Sequence, residues 1–428
     1  MNTFALNPLQ KPIESIIQIP GSKSVTNRAL IMGALTKNPV IIHNPLWSED
    51  TEAMVEGLNT LGIKTIHCKD SIHVIGNTQD VKENTFDIDA HHSGTTIRFI
   101  TALCSLVSGK KRIFGSSSLI KRPIGDLVDA LCILGADIQY EDIDGYPPIQ
   151  INSKSLKNGS IDMKADVSSQ YVSALLMIGP AIGGLELRLS TQQISRSYID
   201  LTIDMMKVWG VNVINDEYHS YNIYPNQEYS LEEYMVEGDY SAGCYFAAIA
   251  ALTHSKITLK NLKKNTRQGD KVFFDILCSM GNEVSYFSNE VIVTGHGVKP
   301  VEVDMELCPD QAQTLAVLAA FAPGKTVLTG VRSLRVKETE RVKAVQKELA
   351  KMNIKTESPD EDTLIIHGGN PKPATIETYN DHRMAMSFAV AGAKLNGMKI
   401  NNPEVVKKTF PEFWNSLREV GISIKHTS

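Results

Sequence analysis

Cysteine is sparse in this 428-residue chain, and what there is lies scattered. Cys68, Cys104, Cys132, Cys244, Cys278 and Cys308 form no C-x-x-C pair and no Cys/His cluster. That spacing excludes a disulfide framework and a zinc ribbon. Most of the six fall inside apolar periodic runs, Cys132 in LVDALCILG for example, so they are expected to be reduced core residues. Long hydrophobic runs are missing too: no stretch approaches the ~18 apolar residues of a membrane span. The start, MNTFALNPLQKPIESI, lacks the charged and then apolar segments of a secretory signal. Positive charge is not in excess either. A net charge of −5 argues against a general nucleic-acid binder, which is normally basic. A cytoplasmic protein, with no membrane or nucleic-acid partner, is expected. Any basic site must be a local concentration of charge.

One such concentration stands near the start. PGSKSVTNRAL places Lys23 and Arg28 among Ser22, Ser24, Thr26 and Asn27, with a glycine leading in and an apolar helical run leading out. Backbone N–H groups at a helix start carry partial positive charge, and Lys and Arg add full charges, so the pattern suits an anion. An ordinary helix start with solvated charges explains the stretch equally well. A nucleotide P-loop is excluded, because the G-x-x-x-x-G-K-[ST] spacing is absent.

The most informative feature is an internal repeat. Six amphipathic runs each end on a stop residue followed by a short β-like segment: MVEGLNTLGIKTI, LVDALCILGADI, IDMMKVWGVNVI, FFDILCSMGNEV, AVQKELAKMNIKT and WNSLREVGISI. The stops are Gly62, Gly135, Gly210, Gly281, Asn353 and Gly421, spaced 73, 75, 71, 72 and 68 residues apart. Gly, and after it Asn, accepts the positive φ that ends a helix. Each copy also carries a second, more apolar helix behind a polar loop, and helices that are apolar all round are buried. The second helices begin at GSKSVTNRALIMGAL, HSGTTIRFITALCSL, SSQYVSALLMIG, GDYSAGCYFAAIAAL, PDQAQTLAVLAAF and NDHRMAMSFAVAGA. With the strand-like runs that follow, each unit reads as an α/β or α+β mixture. Six units of this length suit two globular domains of three units each, divided near residue 236. The expected lobes are 20–236 and 1–19 plus 237–428. The N-terminal run ESIIQI is assigned to the last unit, so the chain crosses between the lobes twice.

Unusual polar residues occupy equivalent places in different copies, the starts of the two helices. At the buried-helix starts stand Lys23, Ser24 and Arg28; Gly94, Thr95 and Arg98; Ser168, Ser169 and Gln170; Asp239; Asp310; and Asp381, His382 and Arg383. At the amphipathic starts stand Arg122, Arg196 and Tyr198, Gln268, the run Lys337 to Arg341, and Lys408. With helices packed in parallel these starts share one face, and the field suits one or two ligands bearing phosphates and carboxylates. Carboxylates lie among the cations. Asp310 is either a proton acceptor or a helix N-cap, and Glu338 is either a proton-transfer group or an i,i+3 partner of Arg341. His382 is a site residue or a core histidine.

These same segments carry a family resemblance. PGSKSVTNRAL, SGTTIR, RPIGDLVDAL, SSQYVSALLM, PDQAQTLAVLA, RVKETER, YNDHRMAMSF and KTFPEFW, in order through nearly the whole chain, resemble the 5-enolpyruvylshikimate-3-phosphate synthase family. The resemblance implies two domains of three βαβαββ units each, with the active site in the cleft between them. It implies transfer of the enolpyruvyl group from phosphoenolpyruvate to the 5-hydroxyl of shikimate 3-phosphate, through a tetrahedral intermediate, with release of phosphate. Carried over residue by residue, Lys23, Ser24, Arg28, Ser168, Ser169, Gln170, Ser195 and Tyr198 hold shikimate 3-phosphate, with Asp310, Ser333 and Lys337 completing that site. Lys23, Gly94, Arg122, Gln170, Arg341, Arg383 and Lys408 hold phosphoenolpyruvate, with Lys337 beside them. Asp310 is the base for the 5-hydroxyl, and Glu338 and Lys23 handle protons at the enolpyruvyl carbon and the leaving phosphate. No metal or organic cofactor is implied, and a monomer is expected.

Three residues depart from the family pattern: His92, Phe99 and Ser333, all at or beside the implied substrate site. The nearest rival is the enolpyruvyl transferase acting on UDP-N-acetylglucosamine. That enzyme carries a loop cysteine before its A-R-P segment, and GSSSLIKRP here has none. A non-catalytic anion-binding protein leaves the filled Asp310 and Glu338 positions without a purpose, and the acidic balance disfavours an RNA-phosphate-processing relative.

Overall fold

The computed structural model describes residues 2–153 and 155–427. The chain divides into two compact units. One is Gly21–Val236, and the other joins the chain up to Pro20 with the chain from Glu237 onward. Each encloses its own hydrophobic core. The six sequence copies are six repeats, and each contributes two α-helices. They are α1 (Lys23–Ala34) and α2 (Glu49–Leu61), α3 (Gly94–Cys104) and α4 (Gly125–Ile133), α5 (Ser169–Ile178) and α6 (Arg196–Val208), α7 (Tyr240–Thr253) and α8 (Val272–Ser279), α9 (Ala312–Phe321) and α10 (Arg341–Lys351), α11 (His382–Gly392) and α12 (Phe413–Glu419). The second helix of each pair ends where the stop residue turns the chain left-handed, with φ from +62° at Asn353 to +103° at Gly281. Any side chain larger than glycine is strained there, and Asn is the most tolerant substitute.

The first helix of each pair is the buried one. In α7, for example, every residue but Ser241 and Thr253 is buried. Helices α7, α9 and α11 pack on one another, and α3 packs on both α1 and α5. Four of the six buried helices are capped by a side chain at their N-termini. Ser93 accepts from Thr96 N–H, Ser168 from Gln170, Asp239 from Ser241 and Asp381 from Arg383. Such a cap contributes about 1 kcal/mol, and it leaves the remaining first-turn N–H groups and the helix dipole available to a ligand.

All six sheets have four strands in one order. In the second repeat Thr85–Asp89 runs parallel to Lys110–Phe114, which pairs antiparallel with Ile149–Ile151, and Ile138–Tyr140 closes the far edge. This is the expected βαβαββ unit. The N-terminal segment is woven differently from the expectation. ESIIQ (Glu14–Gln18) belongs to the fourth repeat, not the last, and runs parallel to Lys256–Lys260. It is the earlier strand Thr3–Asn7 that enters the last sheet, between Met398–Asn401 and Ser423–Thr427. Its alternation puts Phe4 and Leu6 into the core, a period-two pattern too short to stand out in sequence. The first repeat is completed in the same way by Glu233–Met235, parallel to Val40–His43.

The cysteines need a second correction. Cys104, Cys244 and Cys308 are buried, but Cys68, Cys132 and Cys278 are exposed. In α4 the inward face is Leu127, Val128, Ala130 and Leu131, and Cys132 falls on the opposite side. An apolar run does not by itself say which face a residue takes. Among the described residues no helix is long and apolar enough to cross a membrane, and no group of His, Cys, Asp and Glu is arranged to hold a metal.

Candidate active site

In the Gly21–Val236 unit, Arg28 is buried and held by neutral groups. Its Nε donates to Thr202 Oγ1 (2.7 Å), and its Nη groups donate to the carbonyls of Ser24 (2.9 Å) and Tyr198 (3.2 Å) and to Ser173 Oγ (3.4 Å). Phe99, the departure from the family pattern, lies fully buried with its ring 5.5 Å from the Arg28 guanidinium carbon. Burial pushes Arg28 down to about 10, with Tyr198 opposing. Lys23, the first residue of α1, pairs with Asp50 at 3.0 Å. Arg98 donates to Gln170 Oε1 (2.5 Å) and the Pro123 carbonyl (3.2 Å), and Gln170 donates in turn to Thr95 Oγ1 (3.0 Å). Gly94 opens α3 directly against Arg122: a β-carbon there meets the guanidinium at 2.5–2.7 Å. Ser168 caps α5, Ser169 is its buried first residue, and Ser195 leads into α6 at φ +51°. His92 lines a cavity of about 320 Å³ with Glu49, Asp50, Glu52, Ala53, Glu56 and His91.

The other unit assembles charge against charge. Arg341, the first residue of α10, is 2% exposed and donates to three carboxylates: Asp381 (2.7 Å), Asp310 (2.8 Å) and Glu338 (2.8 Å). Arg383 holds the second oxygen of Asp310 (2.9 Å), and Lys408 holds the second oxygen of Glu338 (2.9 Å). Three cations thus balance three carboxylates in one cluster. Desolvation alone lowers Arg341, but Asp381, Glu338 and Asp310 together hold it above its ordinary value. Arg383 also donates to Tyr245 OH (3.2 Å) and Ser241 Oγ (3.5 Å) on α7. The N-terminal ends of α7, α9 and α11 therefore meet at this cluster, which requires the three helices to run in parallel.

The structure places each of the residues whose role the sequence left open. Asp310 does not cap α9: it sits in the turn Pro309–Gln311 with its carboxylate on Arg341 and Arg383, and Gln311 is the residue that precedes the helix. Glu338 does make the i,i+3 pair with Arg341, and it holds Lys408 as well. His382 is a buried first-turn residue of α11. Gln268 is structural, accepting from Tyr240 N–H (3.1 Å) and donating to Glu237 and Gly238 at the start of α7. Ser333 is half-buried in the turn Arg332–Val336, with Lys337 next in the chain. Sequence reasoning does not single out Asp50 or Asp270. They stand at or just before the start of the amphipathic helix in their repeats, close to the positions of Arg122 and Arg341 in theirs, and aligning the copies is the signal that finds them.

The comparisons agree across the whole chain. The family model for EPSP synthase (3-phosphoshikimate 1-carboxyvinyltransferase) matches residues 9–417. A 3-phosphoshikimate 1-carboxyvinyltransferase of Shewanella amazonensis is 35% identical, covering 97% of this chain and 98% of its own length. One of Sulfurovum sp. is 37% identical, covering 98% and 99%. The solved EPSP synthase of Acinetobacter baumannii superposes with a TM-score of 0.84 at 26% identity, covering both chains completely. The fold and these full-length matches define an enzyme of enolpyruvyl transfer. The chain belongs to the EPSP synthase family, the 3-phosphoshikimate 1-carboxyvinyltransferases of the shikimate pathway.

Proposed function

We propose that the residues described above perform the transfer from phosphoenolpyruvate to the 5-hydroxyl of shikimate 3-phosphate in named roles. The observation that carries the reading is that Asp310 and Glu338 each lie between two cations that an anionic substrate can claim. While Arg341 and Arg383 hold Asp310, it is a poor proton acceptor. A substrate carboxylate that takes over those guanidiniums frees it to accept the hydroxyl proton. Glu338, freed from Arg341 and Lys408 in the same way, takes up a proton from solvent, and the hydroxyl oxygen then bonds the central carbon of phosphoenolpyruvate as Glu338 delivers that proton to the methylene carbon. In the elimination Glu338, now a carboxylate, takes a proton back from the new methyl group, the carbon–phosphate oxygen bond breaks, and Lys23 supplies a proton to the departing phosphate.

Arg28, Ser24, Ser168, Ser169, Gln170, Ser195 and Tyr198 are assigned to shikimate 3-phosphate, with Ser333 and Lys337. Gly94, Arg122, Gln170, Arg341, Arg383 and Lys408 are assigned to phosphoenolpyruvate, where fixed cations offset the charge developing on phosphate. Proton transfer and charge stabilisation suffice, so no cofactor is assigned. The same reading makes the protein a cytoplasmic monomer acting on small molecules alone.

Phosphate release from phosphoenolpyruvate tests it, with shikimate 3-phosphate run beside UDP-N-acetylglucosamine. Release with shikimate 3-phosphate only, and a loss of about 10²–10⁴-fold in kcat for Asp310→Asn, is expected. Release with the sugar nucleotide reassigns the substrate, and an unimpaired Asp310→Asn removes the base.

A further inference from the structure

Behind Arg383 a chain of polar groups runs inward, from the half-buried Ser241 to fully buried residues, and no step of the mechanism uses it. Ser241, which Arg383 approaches at 3.5 Å, donates its hydroxyl to the Asp270 carboxylate. The same Asp270 oxygen accepts from Gln311 Nε2 at 3.2 Å. Gln311 is fully buried, and its Oε1 accepts from Thr314 Oγ1 (3.2 Å), which shares a hydrogen bond with Ser387 Oγ (3.0 Å). The carboxylate of Asp270 can only accept, so it takes the Nε2 end of the amide, and Thr314 fills the Oε1 end. Gln311 also follows Asp310 directly in the chain.

We infer that Gln311 is a positioning residue: it holds the Asp270 carboxylate on Ser241, and through Ser241 it aims Arg383 at the anion that Arg383 and Asp310 share. A buried carboxylate needs every donor it has. Burial pushes Asp270 upward with Arg383 opposing, and Asp310 and Asp239 add to the rise. Gln311 supplies a donor without adding a charge to a cluster that is already balanced. This inference rests on the assignment of Arg383 to phosphoenolpyruvate.

The test is Gln311→Met, which keeps length and removes both polar atoms. The KM for phosphoenolpyruvate rises about five- to tenfold, the factor carried by the net worth of one ordinary hydrogen bond. The KM for shikimate 3-phosphate stays within twofold. Both constants unchanged, or both raised together, in a variant that melts like wild type would overturn the inference. Should Gln311→Met not fold, Thr314→Val frees the amide with almost no change of shape and gives the same split at about threefold; no split there overturns it equally. If wild type releases no phosphate, the functional reading fails, and a crystal structure of Gln311→Met then decides this one. Arg383 displaced from Ser241 supports it, and Arg383 unmoved overturns it.

Discussion

The two units solve the problem of a buried arginine in opposite ways. Arg28 is stripped of water and surrounded by hydroxyls and carbonyls, and its pKa falls to about 10. Arg341 is equally buried, but three carboxylates surround it and its pKa rises. The first arrangement leaves positive charge uncompensated, so an anion drawn to it has no carboxylate to displace. The second is neutralised in advance. An anion entering there must displace a carboxylate, and the displaced carboxylate becomes available for proton transfer. The partners set the difference: Arg28 lies in the buried helix of its repeat among neutral groups, and Arg341 opens the amphipathic helix of its repeat among carboxylates.

Breaking the charged cluster should cost most. Arg341→Met strips the buried Asp381 of its guanidinium and leaves the half-buried Asp310 and Glu338 with one cation each, and is expected to lose about 3–5 kcal/mol of stability, read by urea denaturation, with no measurable turnover. Arg28→Met removes a cation from neutral partners, so its stability loss is about 1–3 kcal/mol. Its main effect is a KM for shikimate 3-phosphate at least about tenfold higher. Equal stability losses for the two substitutions would sink the contrast drawn here. Gly94→Ala sharpens it from the ligand side. The new β-carbon displaces only the mobile end of Arg122, so the fold survives, while the KM for phosphoenolpyruvate rises about tenfold, the factor of one weakened charge-assisted contact.

The smallest effect concerns pH. Asp270 stands at about 6, chiefly through burial, with Arg383 opposing, against about 3.9 in an unfolded chain. The folded state binds that proton more tightly, so the stability it contributes is present below about pH 4 and lost as pH rises through 6. Asp270→Asn removes the cost of ionisation. It should gain on the order of 1–3 kcal/mol at pH 7 and nothing at pH 4, at some expense of activity. A gain independent of pH would show that the carboxyl is not the cause.

Much of the fold was legible because its signals are local. The six helix stops could be read because a left-handed residue selects Gly or Asn by its own sterics. The six buried helices could be read because they are apolar on every side. Thr3–Asn7 was not legible: five alternating residues fit many sheets, and the partner strands lie almost four hundred positions away. Asp50 and Asp270 carried no sequence signal of their contacts, since nothing nearby in the chain reveals that Lys23 or Ser241 and Gln311 will face them. Cys132 and Cys278 sit in apolar runs, yet the helix turns them outward.

By itself, then, the sequence determined the repeat, the helix ends, the family and which residue types stand at the helix starts. Each of these depends on a residue's own conformational preference or on spacing along the chain. Only the tertiary structure decided which charges meet. Arg341, Asp310, Asp381 and Lys408 come from separate segments, and whether a buried cation finds three carboxylates or a ring of hydroxyls is a matter of distances in space, which no local pattern encodes.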